Sequence, residues 1–277
     1  MHSADLVIIA TGQDATEFHL HGNLPSGRRR GAEGVILQTI DGMAGPPMEL
    51  RRRAAARQEG STAGTKKVSE RIVGMTVALT ATRSHSIDEV WERWRRLWDN
   101  PVRLVCHSRK GVRWVEVQLA KEMIFASEID PHKRGVYQID MSLVAPDPYA
   151  YSAAYVEDQV MGSTHSANFT MANPTDVDCW PRFITSAGGQ GWAIPDGVGE
   201  VKRSVLLDKI DGPFSADTNP LKPTITAASG EPHWGVLVGR GFTQPVPAGT
   251  PPTPRKVMGP SGSSCRMIME RRWQTPW

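Results

Sequence analysis

His19 and His21 stand two residues apart, so a strand would turn both imidazoles to one face, which is how a metal site can begin. No third ligand lies near them in sequence, and the pair reads as exposed or hydrogen-bonded histidines. Cys106, Cys179 and Cys265 are odd in number and far apart, with no Cys-x-x-Cys spacing. Neither a zinc site nor a disulfide framework is supported, and three reduced thiols are expected. Asp196, Asp208, Asp211 and Asp217 offer carboxylates, but acid–base work needs a close pair and nothing in their spacing selects two. Gly188-Gly189-Gln190-Gly191 has the glycines of a phosphate cradle without the following helix that supplies the donors, so it reads as a turn. No His-Glu-x-x-His, phosphate-loop or Gly-x-Ser-x-Gly pattern occurs. The sequence therefore assigns no catalytic residue, no cofactor-binding residue, no metal ligand and no cofactor, and the chain is not expected to be an enzyme.

Residues suited to binding are more prominent. Arg28-Arg29-Arg30, Arg51-Arg52-Arg53 and Lys66-Lys67 could meet phosphates, yet they lack interleaved aromatics and a recognition element. No sequence-specific nucleic-acid binding is expected. A solvated loop, or salt bridges at a contact between subunits, suits these runs better, with Arg51, Arg52, Arg53, Lys66 and Lys67 as the candidate interface residues. Trp180, Trp192, Trp234, Trp273 and Trp277 could stack on sugar rings, with core and interface packing as the simpler reading.

The elements that position these residues are mostly short strands. Leu6–Ala10, Glu17–His21 and Gly34–Thr39 are strand candidates with turn residues between them. Residues 43–70 hold Pro46-Pro47, the basic runs and a polar tip at Gly60–Gly64. The segment is too long for an ordinary connection in a compact domain, and reads as two extended arms leaving the body and returning at the strand Ile72–Ala81. One helix stands out. Ser86 and Glu89 form a capping box. Ile87, Val90, Trp91, Trp94, Leu97 and Trp98 fall on one face, and Asp99-Asn100-Pro101 ends it. Trp91, Trp94 and Trp98 would each bury about 150–250 Å² and are candidate core residues against the sheet. A hairpin, Val102–His107 and Val112–Leu119, follows, then Glu122–Glu128 and a turn at Asp130–Gly135.

In Gly135–Ser152, Tyr137, Ile139, Met141 and Leu143 alternate with Gln138, Asp140 and Ser142, the period of a half-buried strand. The strand runs into Pro146-Asp147-Pro148, where two prolines force an extended exit. Beyond it no helical pattern recurs. Short strands are expected at Ala167–Met171, Arg182–Ser186, Val201–Leu207, Thr224–Ala227, Val236–Val238 and Met267–Arg271, a pattern of sandwiches and jelly rolls. A chain of 277 residues with 26 glycines and 21 prolines fits two domains rich in turns. The domains are expected at 1–152, carrying the arm 43–70, and at 153–277. The net charge of +3 does not by itself point to nucleic acid or membrane. No segment has the length or flanks of a signal or spanning sequence, so synthesis in a cytoplasm without membrane insertion is expected.

Several stretches in this order resemble the distal tail proteins of siphophages, especially those infecting actinobacteria. They are Phe18–Gly22, Gly31–Ile36, the basic arm, the tryptophan-rich helix, Val102–Leu119 and Ala145–Ser152. In the second half they are Asn173–Pro181, Asp208–Asn219 and Arg271–Trp277. The insertion at 43–70 and the proline-rich segment 243–260 depart from a minimal family pattern. The resemblance implies a mainly β protein, with an N-terminal split β-barrel carrying one packed helix and a C-terminal galectin-like jelly-roll β-sandwich. It implies a structural, non-catalytic minor tail protein of the virion tail, made in the host bacterial cytoplasm. The partners implied are further copies of the chain in a cyclic homo-oligomer, usually a hexamer, the tail tube protein, the tail-tip hub protein and the tape measure protein. The ring would join tube to tail tip and serve as an assembly hub. The competing reading is a carbohydrate-binding module that contributes adhesion to a host glycan.

Overall fold

The computed structural model describes residues 6–54, 56, 59–126, 133, 135–199, 203–222, 224–237 and 241–277. The turn expected at 130–135 falls largely outside them, as do residues 201, 202 and 238 of two expected strands. The chain is mainly β, with antiparallel sheets and one α-helix among the described residues. It divides into two compact units, Met1–Tyr151 with Gln274–Trp277, and Ser152–Trp273. The last four residues thus lie with the first unit, whereas the sequence reading assigned them to the second.

In the first unit, β1 (Val7–Thr11), β2 (Glu17–His21) and β3 (Val35–Ile40) are followed by β4 (Met48–Arg53), β5 (Thr62–Val68) and β6 (Arg71–Thr80). The helix α1 (Ile87–Leu97) precedes β7 (Val102–Ser108), β8 (Gly111–Leu119), β9 (Ile124–Phe125) and β10 (Val136–Ala145). The hydrogen-bonded order is β2-β1-β7-β8-β10-β6-β3, all antiparallel. This sheet curls until its end strands β2 and β3 lie side by side, giving a split barrel, and the loop between them is fastened where the Gly31 N–H donates to the His19 carbonyl at 2.7 Å. The longest pairing, β10 on β6, explains the alternation in the sequence. Tyr137, Ile139, Met141 and Leu143 stand opposite Leu79, Val77, Met75 and Val73, and all eight are buried.

The helix begins as its sequence dictates. The Ser86 hydroxyl accepts from the Glu89 N–H, and the Glu89 carboxylate accepts from the Ser86 N–H at 2.7 Å. Each partner satisfies a donor that the first turn leaves open. Val90, Trp94 and Leu97 are buried on the inner face. Trp94 meets Phe18 of β2 edge-on at 5.2 Å and Trp98 at 5.4 Å, the geometry the aromatic quadrupoles favour. The Tyr137 hydroxyl donates to Asp88 at 2.6 Å, tying the first turn to β10.

The second unit is a β-sandwich. Most of β11 (Ala150–Val160) belongs to it, then β12 (Ser166–Asn173), β13 (Arg182–Thr185), β14 (Ala193–Pro195), β15 (Ser204–Leu206), β16 (Phe214–Asp217) and β17 (Ile225–Ala227). A 3₁₀ turn at Trp234–Leu237, β18 (Thr250–Met258) and β19 (Ser264–Trp273) complete it. One sheet has the order β17-β16-β13-β19-β11 and the other β12-β18-β14-β15. Phe169 of β12 meets Phe183 of β13 edge-on at 6.0 Å, and Trp192 meets Phe214 of β16 at 5.5 Å. These pairs join the two sheets through a core that also holds Met171, Ile194, Val205 and Met267.

Five elements of the second half differ from the expectation, and two of them, β14 and β16, are short strands where none was expected. Val236 lies in the 3₁₀ turn, not in a strand. β18 lies in the proline-rich segment, where prolines argue against a strand. Its Pro251 and Pro252 fall at a register shift against β12, Pro254 stands opposite Thr170 within the ladder, and β14 pairs with this strand only at Met258, so most of its other side is an edge, where a missing donor is tolerated. β11 was not expected as a strand because its residues alternate between exposed and half-buried after Ala150, with no buried stripe to give a period. It runs through the division between the units, which falls between Tyr151 and Ser152.

Candidate functional site

The most unusual feature of the first unit is the ribbon formed by β4 and β5. Among the described residues it pairs only with itself, and every residue of both strands is exposed except the half-buried Val68. Met48 pairs with Val68 and Leu50 with Lys66, so one face carries apolar carbon, with Met48 51% and Leu50 38% exposed. Glu49 stands opposite Lys67 in the register, on the other face. The register shifts between Leu50 and Arg52, a bulge that adds twist. Gly64 sits across from it, and a Cβ there would come within 2.9 Å of the Arg51 carbonyl oxygen, so only glycine fits without movement. Arg51, Arg52, Arg53, Lys66 and Lys67 line this ribbon, and none of them takes part in an ion pair among the described residues. The structure therefore brings the five predicted basic residues onto one element.

The root of the ribbon is held by a residue the sequence reading did not single out. Arg71, the first residue of β6, has no exposed surface. Its Nε donates to the Pro148 carbonyl at 2.7 Å, Nη1 to the Met43 carbonyl at 3.2 Å, and Nη2 to the Gln274 carbonyl at 2.7 Å. No carboxylate pairs with it among the described residues, and burial pushes its pKa below the ordinary value. Arg113 of β8, also buried, donates to the Thr275 carbonyl at 2.9 Å. The one available signal was an arginine opening an otherwise apolar strand, on the inward side of the alternation.

The three helix tryptophans part company. Trp94 is fully buried and Trp98 nearly so, but Trp91 is only half-buried. Its ring lies 5.1 Å from that of Phe125, and Phe125 stands 5.7 Å from Tyr137. Phe125 is 47% and Ile124 60% exposed. Trp91, Trp98, Leu119, Met123 and Phe125 line an open groove of about 280 Å³, bordered by Arg95 and Asp99.

The residues weighed for chemistry are dispersed into structural roles. His19 is buried, with Glu33 3.7 Å from its Nδ1, and among the described residues neither ring nitrogen has a hydrogen-bond partner. Burial pushes its pKa below the ordinary 6.5, with Glu33 pulling the other way. Among the described residues, no group of three or more His, Cys, Asp or Glu side chains is arranged to hold a metal ion. All three cysteines are buried, and burial pushes each thiol up to about 12. Asp196 is buried and accepts from the Thr243 and Gln244 N–H groups, Asp217 pairs with Lys222, and Asp211 pairs with Lys209. Gly189 bridges to Ile210 in a turn. Arg28 pairs with Glu17 and Glu33. Trp192 is core, while Trp180, Trp273 and Trp277 are half-buried.

The fold is that of phage tail hub and baseplate proteins. The Dit protein of phage SPP1, described as a paradigm of the hub adsorption apparatus of phages infecting Gram-positive bacteria, aligns with a TM-score of 0.64 at 10% identity, over 97% of this chain and 99% of that one. Chains of the phage p2 baseplate in its activated conformation, with strontium and with calcium, align with a TM-score of 0.56 at 8% identity, over 98% of this chain and 99% of theirs. No protein-family model matches the chain, and no curated protein sequence matches it.

Proposed function

We propose that this chain is a structural component of a siphophage tail, a distal tail protein that closes into a homo-oligomeric ring, usually six-fold in such tails. The ring joins the tail tube to the tail tip and acts as an assembly hub, with the tail tube protein, the tail-tip hub protein and the tape measure protein as its neighbours. The role is non-catalytic and belongs to the virion tail. The first unit, 1–152 in the sequence reading, forms the ring, and the second is a galectin-like sandwich.

The observation that carries this reading is the β4–β5 ribbon. A two-stranded hairpin is at best marginally stable in water by itself, and here neither face is covered. A ribbon with an apolar stripe, five unpaired cations and two open edges is built to lie on another surface. A ring supplies that surface, because a head-to-tail interface repeated around an axis covers every ribbon with the next subunit. The likeness over nearly the full length of a tail hub protein supports the same reading. The carbohydrate-binding alternative has less support, since Trp192 is core and no described tryptophan of the second unit is fully exposed.

The reading is tested on virions with gold-labelled antibody against the chain. Label is expected at the far end of the tail, next to the tip. Label on the capsid, or absence from purified virions, contradicts it.

A further inference from the structure

We propose that Arg71 is the positioning residue of the ribbon, a buried clamp that makes the set of the ribbon depend on the docking of the C-terminal segment 274–277. The inference deepens the assembly reading, and its importance for ring formation rests on that reading.

Three segments converge on this one guanidinium. The first is the root of the ribbon. Arg71 follows the end of β5 at Val68, and its Nη1 reaches back to Met43 in the segment that leads into β4 at Met48, so the segments entering and leaving the ribbon are tied at one group. The second is Pro148, immediately before β11. The third is Gln274, 203 residues away along the chain. All three acceptors are main-chain carbonyls within the first unit. A carbonyl cannot be supplied by a side-chain rotamer; it is in place only when its whole segment is docked. Arginine suits the task because its planar fork holds several donors at fixed angles. The buried charge is costly unless those acceptors are present, so loss of one segment weakens the hold on the others. The C-terminal segment is itself seated: Arg113 binds the Thr275 carbonyl, and Pro276 is buried. At the root, the Ser69 N–H donates to the Pro47 carbonyl at 3.1 Å and reports whether the arms are together.

The test is hydrogen exchange on three full-length chains, the parent, Arg71→Met and Arg71→Lys, and on a chain lacking 274–277, all at a dilution where no assembly is present. Arg71→Met and the shortened chain should each speed exchange at Ser69, at the root of the ribbon, by about ten- to a hundredfold, the size expected for losing a charged hydrogen bond. Arg71→Met combined with the shortening should be no faster than either change alone, while α1 and β10 stay protected. Arg71→Lys, which keeps the charge but not the fork, should fall between parent and Arg71→Met. Unchanged exchange at Ser69 in the shortened chain, effects that simply add, or a parent-like Arg71→Lys beside an unfolded Arg71→Met would each overturn the proposal. Ring formation is then read separately at high concentration. Coupled exchange without rings contradicts the assembly reading alone, and rings without coupled exchange contradict the clamp alone.

Discussion

Trp94 has no exposed surface and aromatic rings on two sides, Phe18 and Trp98. Trp94→Ala should therefore lower the unfolding free energy by about 3–5 kcal/mol in denaturant titration. Trp91→Ala should cost less, because its ring is only partly buried and lines the open groove. The contrast marks which side of the helical stripe is core. His19 gives a pH dependence. Its folded pKa lies below 6.5, so the unfolded chain binds more protons in the window beneath that value. Stability is then fully present above about 6.5 and falls as the pH drops from there toward the folded pKa. Urea titrations between pH 5 and 8 should show that slope, and His19→Asn should flatten it whatever it does to the midpoint. A slope that survives the substitution assigns the titration elsewhere.

At the scale of elements, the capping box and the ribbon make opposite predictions. Ser86→Ala removes an acceptor that the first turn of α1 uses and should cost about 0.5–2 kcal/mol. Leu50→Asp with Arg52→Glu changes two exposed ribbon residues and should leave subunit stability within about 0.5 kcal/mol. The same pair should weaken self-association strongly, seen by sedimentation as a shift to the single subunit. Equal association in parent and variant means the ribbon is only a surface loop. What the sequence made legible follows the same divide. The helix was readable because capping and period agree in Ser86–Trp98, and β10 because its alternation is unbroken. The five basic residues were readable as an arm from length and charge alone. β11 was hidden because it has no buried stripe, and β18 because its three prolines argue against a strand, although only Pro251 and Pro252 fall at a register shift. Arg71 was hidden because its partners are main-chain carbonyls 28, 77 and 203 residues away, and carbonyls carry no residue type to recognise.

Over the whole molecule, the two units divide the work differently. The sandwich buries its own aromatic core and needs no partner to do so. The first unit closes its barrel but leaves a ribbon bare, with the Trp91–Phe125 groove also open. A molecule that completes one unit and leaves the other unfinished is built to associate through the unfinished one. The most direct test is the mass and shape of the purified chain at high concentration, by light scattering with negative-stain imaging. The prediction is one closed species at a fixed multiple of the 30.4 kDa subunit, six-fold in the usual arrangement, seen as rings. A uniform 30.4 kDa species that forms no rings at any concentration would contradict it.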